Sequence, residues 1–145
     1  MTGRPLYETE EHLKREAEFA DKLRRLWNCG LVKLPFFYFL DFAGVRQGEI
    51  EFWLEIKCPN VAMTDFPEYM LSMKKWLTGK SYFKETGKPF YLAIRFTDKD
   101  AFIIYDNDFE DDKVLYKVKG RTIQTRDPAD IEPCVFIPII LFDTV

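Results

Sequence analysis

The chain contains few of the histidine and cysteine residues on which many enzyme classes depend. Histidine occurs once in 145 residues, as His12, and the three cysteines, Cys29, Cys58 and Cys134, are widely spaced and form no Cys-x-x-Cys pair. Zinc sites, Cys-His nucleophiles and Ser-His-Asp triads therefore have no support. An odd number of scattered cysteines predicts core thiols in a reducing compartment. Carboxylate and lysine chemistry is what remains.

Long apolar segments are also missing. No stretch of about 18 apolar residues occurs that could span a membrane, and the N-terminus lacks the apolar core of a secretion signal. We therefore expect a cytoplasmic protein without membrane contact. Repeats, low-complexity tracts and glycine-rich phosphate loops are absent as well. A composition of 47% hydrophobic and 17% aromatic residues can fill the core of one compact domain, which we predict over residues 1–145.

An overall excess of positive charge is missing too. The net charge is −3 and the pI about 5.3, which counts against a protein that simply coats DNA. The charge is unevenly distributed, however, because seven basic and three acidic residues lie between Lys57 and Arg95. Candidate nucleic-acid contacts in this segment are Lys74, Lys75, Lys80 and Lys84. The alternative is that these lysines form an ordinary solvated helix face.

The predicted strand that contains Glu55 and Lys57, together with the segment before it, is the most informative part of the chain. From residue 49 to 58 apolar and polar residues alternate, so that Leu54 and Ile56 fall on one side and Glu55 and Lys57 on the other. Glu-x-Lys alone carries little weight, since a chain with 12 Glu and 13 Lys would contain it about once by chance. The alternative interpretation is the solvated face of an amphipathic strand.

The segment before this strand supplies a second carboxylate. Residues 34–40 form a nearly unbroken apolar run of strand composition, and Asp41 is its first charge. The region from Gly44 to Gly48 predicts a turn that reverses the chain. Because neighbouring antiparallel strands would then pair, we expect Asp41 to lie near Glu55, a few ångströms from an ion that both could bind. The alternative is that Asp41 only marks where a buried strand emerges.

The remaining chain predicts two helices and further strands. A helical stripe over residues 8–28 contains Glu16, whose carboxylate would need a metal or a salt bridge unless the first turns are solvent-exposed. Asp65 begins a second predicted helix that ends at Gly87. Strands are predicted at 90–96, 101–105, 114–118 and 134–142. Pro138 favours an edge or bulged position for the last of them.

These residues resemble the signature of the PD-(D/E)XK nuclease superfamily, an acid on one strand followed by Glu/Asp-x-Lys on the next. Asp41 corresponds to the first acid, Glu55 to the second and Lys57 to the lysine, although Leu40 stands where the signature has proline. The resemblance covers about residues 8–105. It implies an α/β (α+β) domain of the restriction endonuclease-like or resolvase-like type, with a mixed central sheet of about three to five strands, flanking helices and extra C-terminal strands.

The resemblance also implies a function and its cofactor. A metal-dependent phosphodiester hydrolase is expected, in which Mg²⁺ or Mn²⁺ is bound by Asp41, Glu55 and the main-chain carbonyl of Ile56, with Glu16 on the preceding helix as an outer or direct ligand. Lys57 would position or deprotonate the attacking water. Nucleic acid, with DNA favoured, is the expected partner. Whether a homodimer supplies two active sites is left open.

Two other classes of function are compatible with the sequence. One is a nuclease-like fold that has lost activity and serves as a nucleic-acid or protein binding module. The other is a small interaction protein that recruits a partner through an aromatic-rich surface, which the low pI and the 17% content of Phe, Tyr and Trp favour.

Overall fold

The computed structural model describes residues 10–120 and 131–145. In these two ranges the chain forms two α-helices and nine β-strands. The helices are α1 (Glu10–Leu26) and α2 (Met73–Thr86). The strands are β1 (Gly30–Lys33), β2 (Phe42–Arg46), β3 (Glu49–Lys57), β4 (Glu68–Ser72), β5 (Phe90–Arg95), β6 (Asp100–Tyr105), β7 (Leu115–Gly120), β8 (Ile131–Pro138) and β9 (Asp143–Thr144).

The strands form a mixed central sheet and a smaller antiparallel one. The central sheet has six strands in the order β1-β2-β3-β5-β6-β9, and the smaller has three in the order β4-β8-β7. Only β3 and β5 run parallel among the paired strands described. A parallel pair requires a crossover connection, and here β4 and α2 supply it. The predicted mixed sheet with flanking helices is thus confirmed, with one strand more than expected.

The two faces of β3 are covered by different elements. On one face, Phe19 and Leu23 of α1 are completely buried against Leu54, Ile56 and neighbouring residues. The opposite face belongs to the larger core, which includes Trp53 from β3 and the fully buried Trp76 from α2. This division follows from the two-residue alternation of the strand. It also places Glu55 and Lys57 on the face that α2 covers.

A tight hairpin joins β2 to β3. Gln47 and Gly48 both have positive φ, 53° and 78°, as a two-residue type I′ turn requires. The predicted turn region was wider, because Gly44 lies inside β2 instead. A Cβ at Gly44 would stand 2.1 Å from the Phe52 ring, so this glycine allows the ring to pack against the backbone.

Three local predictions are wrong. Residues 34–40 do not form a strand, because Phe36–Tyr38 is a 3₁₀ turn and Phe39 has a φ of 61°. The second helix begins at Met73, with Ser72 as its cap, and not at Asp65 as predicted. The Asp65 carboxylate instead accepts the Ala62 N–H in a turn. The last long strand, β8, is the central strand of its sheet, and Pro138 is its final residue.

The first helix matches its prediction over Glu10–Leu26, and predicted positions 8 and 9 lie outside the described residues. Neither described helix is sufficiently long and apolar to cross a membrane.

Candidate active site

The centre of the candidate site is a buried carboxylate on β3. Glu55 has only 2% of its surface exposed and is the sole buried charged residue in the described ranges. Burial, followed by the nearby negative charge of Asp41, raises the pKa of Glu55 to about 7. Lys57 and Lys75 lower the pKa of this carboxyl, without cancelling the cost of burial. Their ammonium groups lie 3.5 Å from Glu55 Oε2 and Oε1, respectively.

Asp41 reaches Glu55 because β2 and β3 are paired. In the antiparallel register Phe42 lies opposite Leu54 and Ala43 opposite Trp53, so one further step places Asp41 opposite Glu55 on the same face. Asp41 Oδ2 accepts a 2.8 Å hydrogen bond from the N–H of Ile56. The structure therefore brings Asp41 and Glu55 together, as the sequence pattern predicted.

One oxygen of Glu55 is left without a hydrogen bond. Glu55 Oε1 is buried and has no hydrogen-bond partner among the described residues. Lys75 lies 3.5 Å away but donates instead a 2.6 Å hydrogen bond to the carbonyl of Phe39. An unsatisfied buried carboxylate oxygen is energetically costly. Such an oxygen, close to a second carboxylate, suits a hard divalent cation, which prefers oxygen ligands.

The number of protein ligands limits which kind of metal site could form. Within residues 10–120 and 131–145, no three side chains of His, Cys, Asp or Glu cluster as metal ligands. The chain itself would therefore contribute Asp41, Glu55 and a main-chain carbonyl such as that of Ile56. Mg²⁺ commonly binds one or two carboxylates while retaining several waters. A set of two carboxylates and a carbonyl therefore fits Mg²⁺ or Mn²⁺ and does not fit a structural zinc site.

Lys57 connects the buried carboxylate to solvent. It is the last residue of β3, and its side chain is 38% exposed. Its position two residues after Glu55 places both side chains on one face. The ammonium group can therefore contact both Glu55 and a molecule approaching from solvent.

The structure does not bring Glu16 to the two other carboxylates. Glu16 Oε2 lies 3.0 Å from His12 Nε2 on α1, and the negative charge of Glu16 faces Cys58, where it adds to the effect of burial in raising the pKa of that thiol to about 11. This is the α1 side of β3, opposite to Glu55. The predicted role of Glu16 as a metal ligand is thus corrected, because the sheet separates α1 from the site and no three such side chains cluster among the described residues. The structure pairs Glu16 with His12 instead.

The four predicted nucleic-acid lysines fall into two groups. Lys74 and Lys75 lie near the site, with ammonium groups 5.6 and 6.0 Å from the centre of the Phe39 ring. Lys80 instead forms a 3.3 Å ion pair with Asp111. Lys84 is exposed in the last turn of α2, about two and a half turns beyond Lys75 and so on the opposite side of the helix. Only the first pair can act together with the carboxylates.

The sequence pattern missed two features beside the site. Tyr69 of β4 has its pKa raised by burial and, secondarily, by the charge of Glu55, so its phenol lies near the carboxylate and stays neutral. The second feature is an exposed aromatic segment, residues 36–39, which leads directly to Asp41. Pro35 before four aromatic residues was a usable signal for a turn, whereas Tyr69 had none.

Comparison with known proteins identifies a family and a solved structure of similar fold. Residues 2–145 match the family described as "Phage putative PDDEXK endonuclease". The Archaeoglobus fulgidus Holliday junction resolvase Hjc has a similar structure, with a TM-score of 0.54 and 14% sequence identity over 90% of this chain and 92% of that one. At that identity the likeness concerns the fold, which is confirmed as restriction endonuclease-like. No curated protein sequence matches.

Proposed function

The chain belongs to this PDDEXK family, and from that premise we propose that it is a metal-dependent nuclease that hydrolyses phosphodiester bonds in DNA. One observation carries the proposal. Glu55 is buried beside Asp41 with an unsatisfied carboxylate oxygen and with a lysine near each of its oxygens. For stability alone this arrangement is unfavourable, because replacing buried charges by apolar residues often stabilises a protein.

Asp41 and Glu55 are the groups proposed to hold the cation, together with the Ile56 carbonyl. A bound Mg²⁺ or Mn²⁺ supplies a Lewis acid for the phosphate and lowers the pKa of bound water. The hydrogen bond from the Ile56 N–H to Asp41 Oδ2 orients that carboxylate. Glu55, with a pKa near 7, would release any proton it holds when a cation binds.

Lys57 is proposed to act on the attacking water and on the phosphate. Its ammonium group lies beside Glu55 Oε2 and is open to solvent, so it can hold a water by a hydrogen bond and offset the negative charge that develops on the phosphate. Lys75 is more buried and fixed between Glu55 and Phe39. We therefore assign Lys75 a positioning role.

DNA is proposed as the substrate on three grounds. The matching family is described as an endonuclease, and the structural neighbour is named as a Holliday junction resolvase. The lysines near the carboxylates supply the positive charge that a phosphate backbone needs.

A cleavage assay with a matched variant tests this function. End-labelled duplex, single-stranded and branched DNA would be incubated with Mg²⁺, Mn²⁺ or EDTA. We expect cleavage with either cation, none in EDTA, and loss of at least about 100-fold in Glu55→Gln, since a required cation ligand is removed. Glu51→Gln is the control, because Glu51 is an exposed acid on the same strand that pairs with Arg46.

Two results would count against the proposal. If Glu55→Gln cleaved at the wild-type rate, the carboxylate assignment would be wrong. If the wild-type protein bound DNA but cleaved none of these substrates with either cation, the chain would be an inactive nuclease-like binding module.

A further inference from the structure

An exposed row of aromatic rings lies beside the candidate active site. We name residues 36–39 the aromatic loop. Phe36 is 87% exposed, Phe37 64%, Phe39 47% and Tyr38 37%. Successive rings contact one another, with centroid distances of 6.0 Å between Phe36 and Phe37 and 5.2 Å between Phe37 and Tyr38, and Tyr82 of α2 extends the row. A contiguous exposed apolar patch of this kind marks an interaction site.

The aromatic loop is held in place by polar contacts to α2. Lys75 donates a hydrogen bond to the Phe39 carbonyl, and the Tyr82 hydroxyl donates one to the Tyr38 carbonyl at 3.1 Å. Phe39 has a φ of 61°, which is uncommon for a bulky residue and persists only where the surroundings enforce it. The structure therefore fixes these rings in an exposed position although burying them would be favourable.

The same contacts connect the aromatic loop to the carboxylates. Asp41 lies two residues beyond Phe39. Its main-chain carbonyl accepts a 2.9 Å hydrogen bond from the Leu34 N–H, so the residues on either side of the aromatic loop are joined. Lys75 contacts the aromatic loop and also lies 3.5 Å from Glu55. A polymer held at the carboxylates would therefore lie within reach of the aromatic loop.

The charges around the rings identify the kind of partner. Lys74 and Lys75 lie near the Phe39 ring, and Lys33 pairs with Asp41, two residues beyond the aromatic loop. A second copy of this chain docked through the same patch would bring these lysines against identical lysines, which is unfavourable. A nucleic-acid strand complements both the lysines and the rings, since its phosphates pair with lysines and its unpaired bases stack on aromatic rings.

We propose that the aromatic loop is a stacking platform for unpaired bases next to the cleavage position. The substrate class is then DNA with unpaired bases beside the scissile phosphodiester, such as a flap, a branch or a single strand. In a fully paired duplex the base faces are covered by their neighbours and cannot stack on the protein. This inference rests on the proposed nuclease function and specifies its substrate.

Binding in EDTA tests the platform separately from catalysis. The probes are a fully paired duplex and the same duplex with a three-nucleotide flap containing 2-aminopurine, whose fluorescence is quenched on stacking. We expect Phe36→Ala/Phe37→Ala to bind the flap about 10-fold or more weakly, as loss of base stacking predicts, with less quenching and unchanged duplex binding. Phe36→Trp/Phe37→Trp should retain flap binding. Ile140→Ala is the control, because Ile140 is 90% exposed and precedes β9, at the opposite edge of the sheet from β1.

Three outcomes would overturn the platform. These are flap binding by the alanine variant as tight as that of the wild type, an equal loss of affinity for the flap and the duplex, and conversion of a dimer to a monomer in sedimentation with an unchanged flap preference. The last result would identify a surface for self-association. Cleavage by the wild type with Mg²⁺ is scored on the same probes, so an absence of nuclease activity is distinguished from an absence of stacking.

Discussion

Replacing Glu55 by Gln should stabilise the metal-free protein at neutral and alkaline pH. Burial, followed by the charge of Asp41, raises the pKa of Glu55 from 4.5 to about 7. A difference of about 2.5 units corresponds to about 3 kcal/mol. This is the free energy by which the ionised carboxylate disfavours the folded state.

The sign of the effect follows from proton binding. Between pH 4.5 and about 7 the folded protein holds the Glu55 proton more tightly than the unfolded chain does. The free energy of unfolding therefore falls as pH rises through this interval. Gln has no proton to lose, so the gain from Glu55→Gln should be small near pH 5 and approach about 3 kcal/mol near pH 8.

Urea denaturation in EDTA measures this gain. Wild type, Glu55→Gln and the Glu51→Gln control would be unfolded near pH 5 and near pH 8, and the differences in the free energy of unfolding compared. A gain for Glu55→Gln that is the same at both pH values, or a loss at pH 8, would refute the reasoning. Glu51→Gln controls for the loss of one carboxylate from an exposed position of the same strand.

Three further predictions follow from the same geometry. Asp41→Asn should lower the pKa of Glu55, because a neighbouring negative charge is removed; a ¹³C NMR titration of the glutamate carboxyls would detect this, and an unchanged pKa would contradict it. The affinity of the wild type for Mn²⁺ should increase with pH up to about 7 and then level off, since cation binding displaces the proton of Glu55; calorimetric titrations that gave the same affinity at pH 5 and pH 8 would exclude that competition. Gly44→Ala should cost about 1–3 kcal/mol in chemical denaturation, because its Cβ would meet the Phe52 ring at 2.1 Å, whereas Gly30→Ala, with its nearest contact at 3.7 Å, should cost less.

The sequence was most informative where alternation and pairing act together. The pattern around Glu55 placed Leu54 and Ile56 on one face and Lys57 on the other, as the structure has them. Antiparallel pairing then accounts for the approach of Asp41. Both inferences use short-range geometry, in which a residue's neighbours determine the direction of its side chain.

Predictions that needed longer-range information were wrong. A helical stripe identifies the side of α1 that meets the sheet, but it does not tell which face of the sheet the helix covers, and Glu16 was therefore assigned to the wrong side. The apolar run at 34–40 has strand composition, yet its aromatic residues stay exposed. Composition could not predict this, because polar contacts from Lys75 and Tyr82 hold the segment.

The most direct test of the central claim is the position of a bound cation. Crystals grown or soaked with Mn²⁺ would be measured for anomalous scattering. We predict a peak about 2 Å from carboxylate oxygens of both Asp41 and Glu55, and its loss in Glu55→Gln. A peak bound to other residues only, or the same peak retained in Glu55→Gln, would contradict the proposed site.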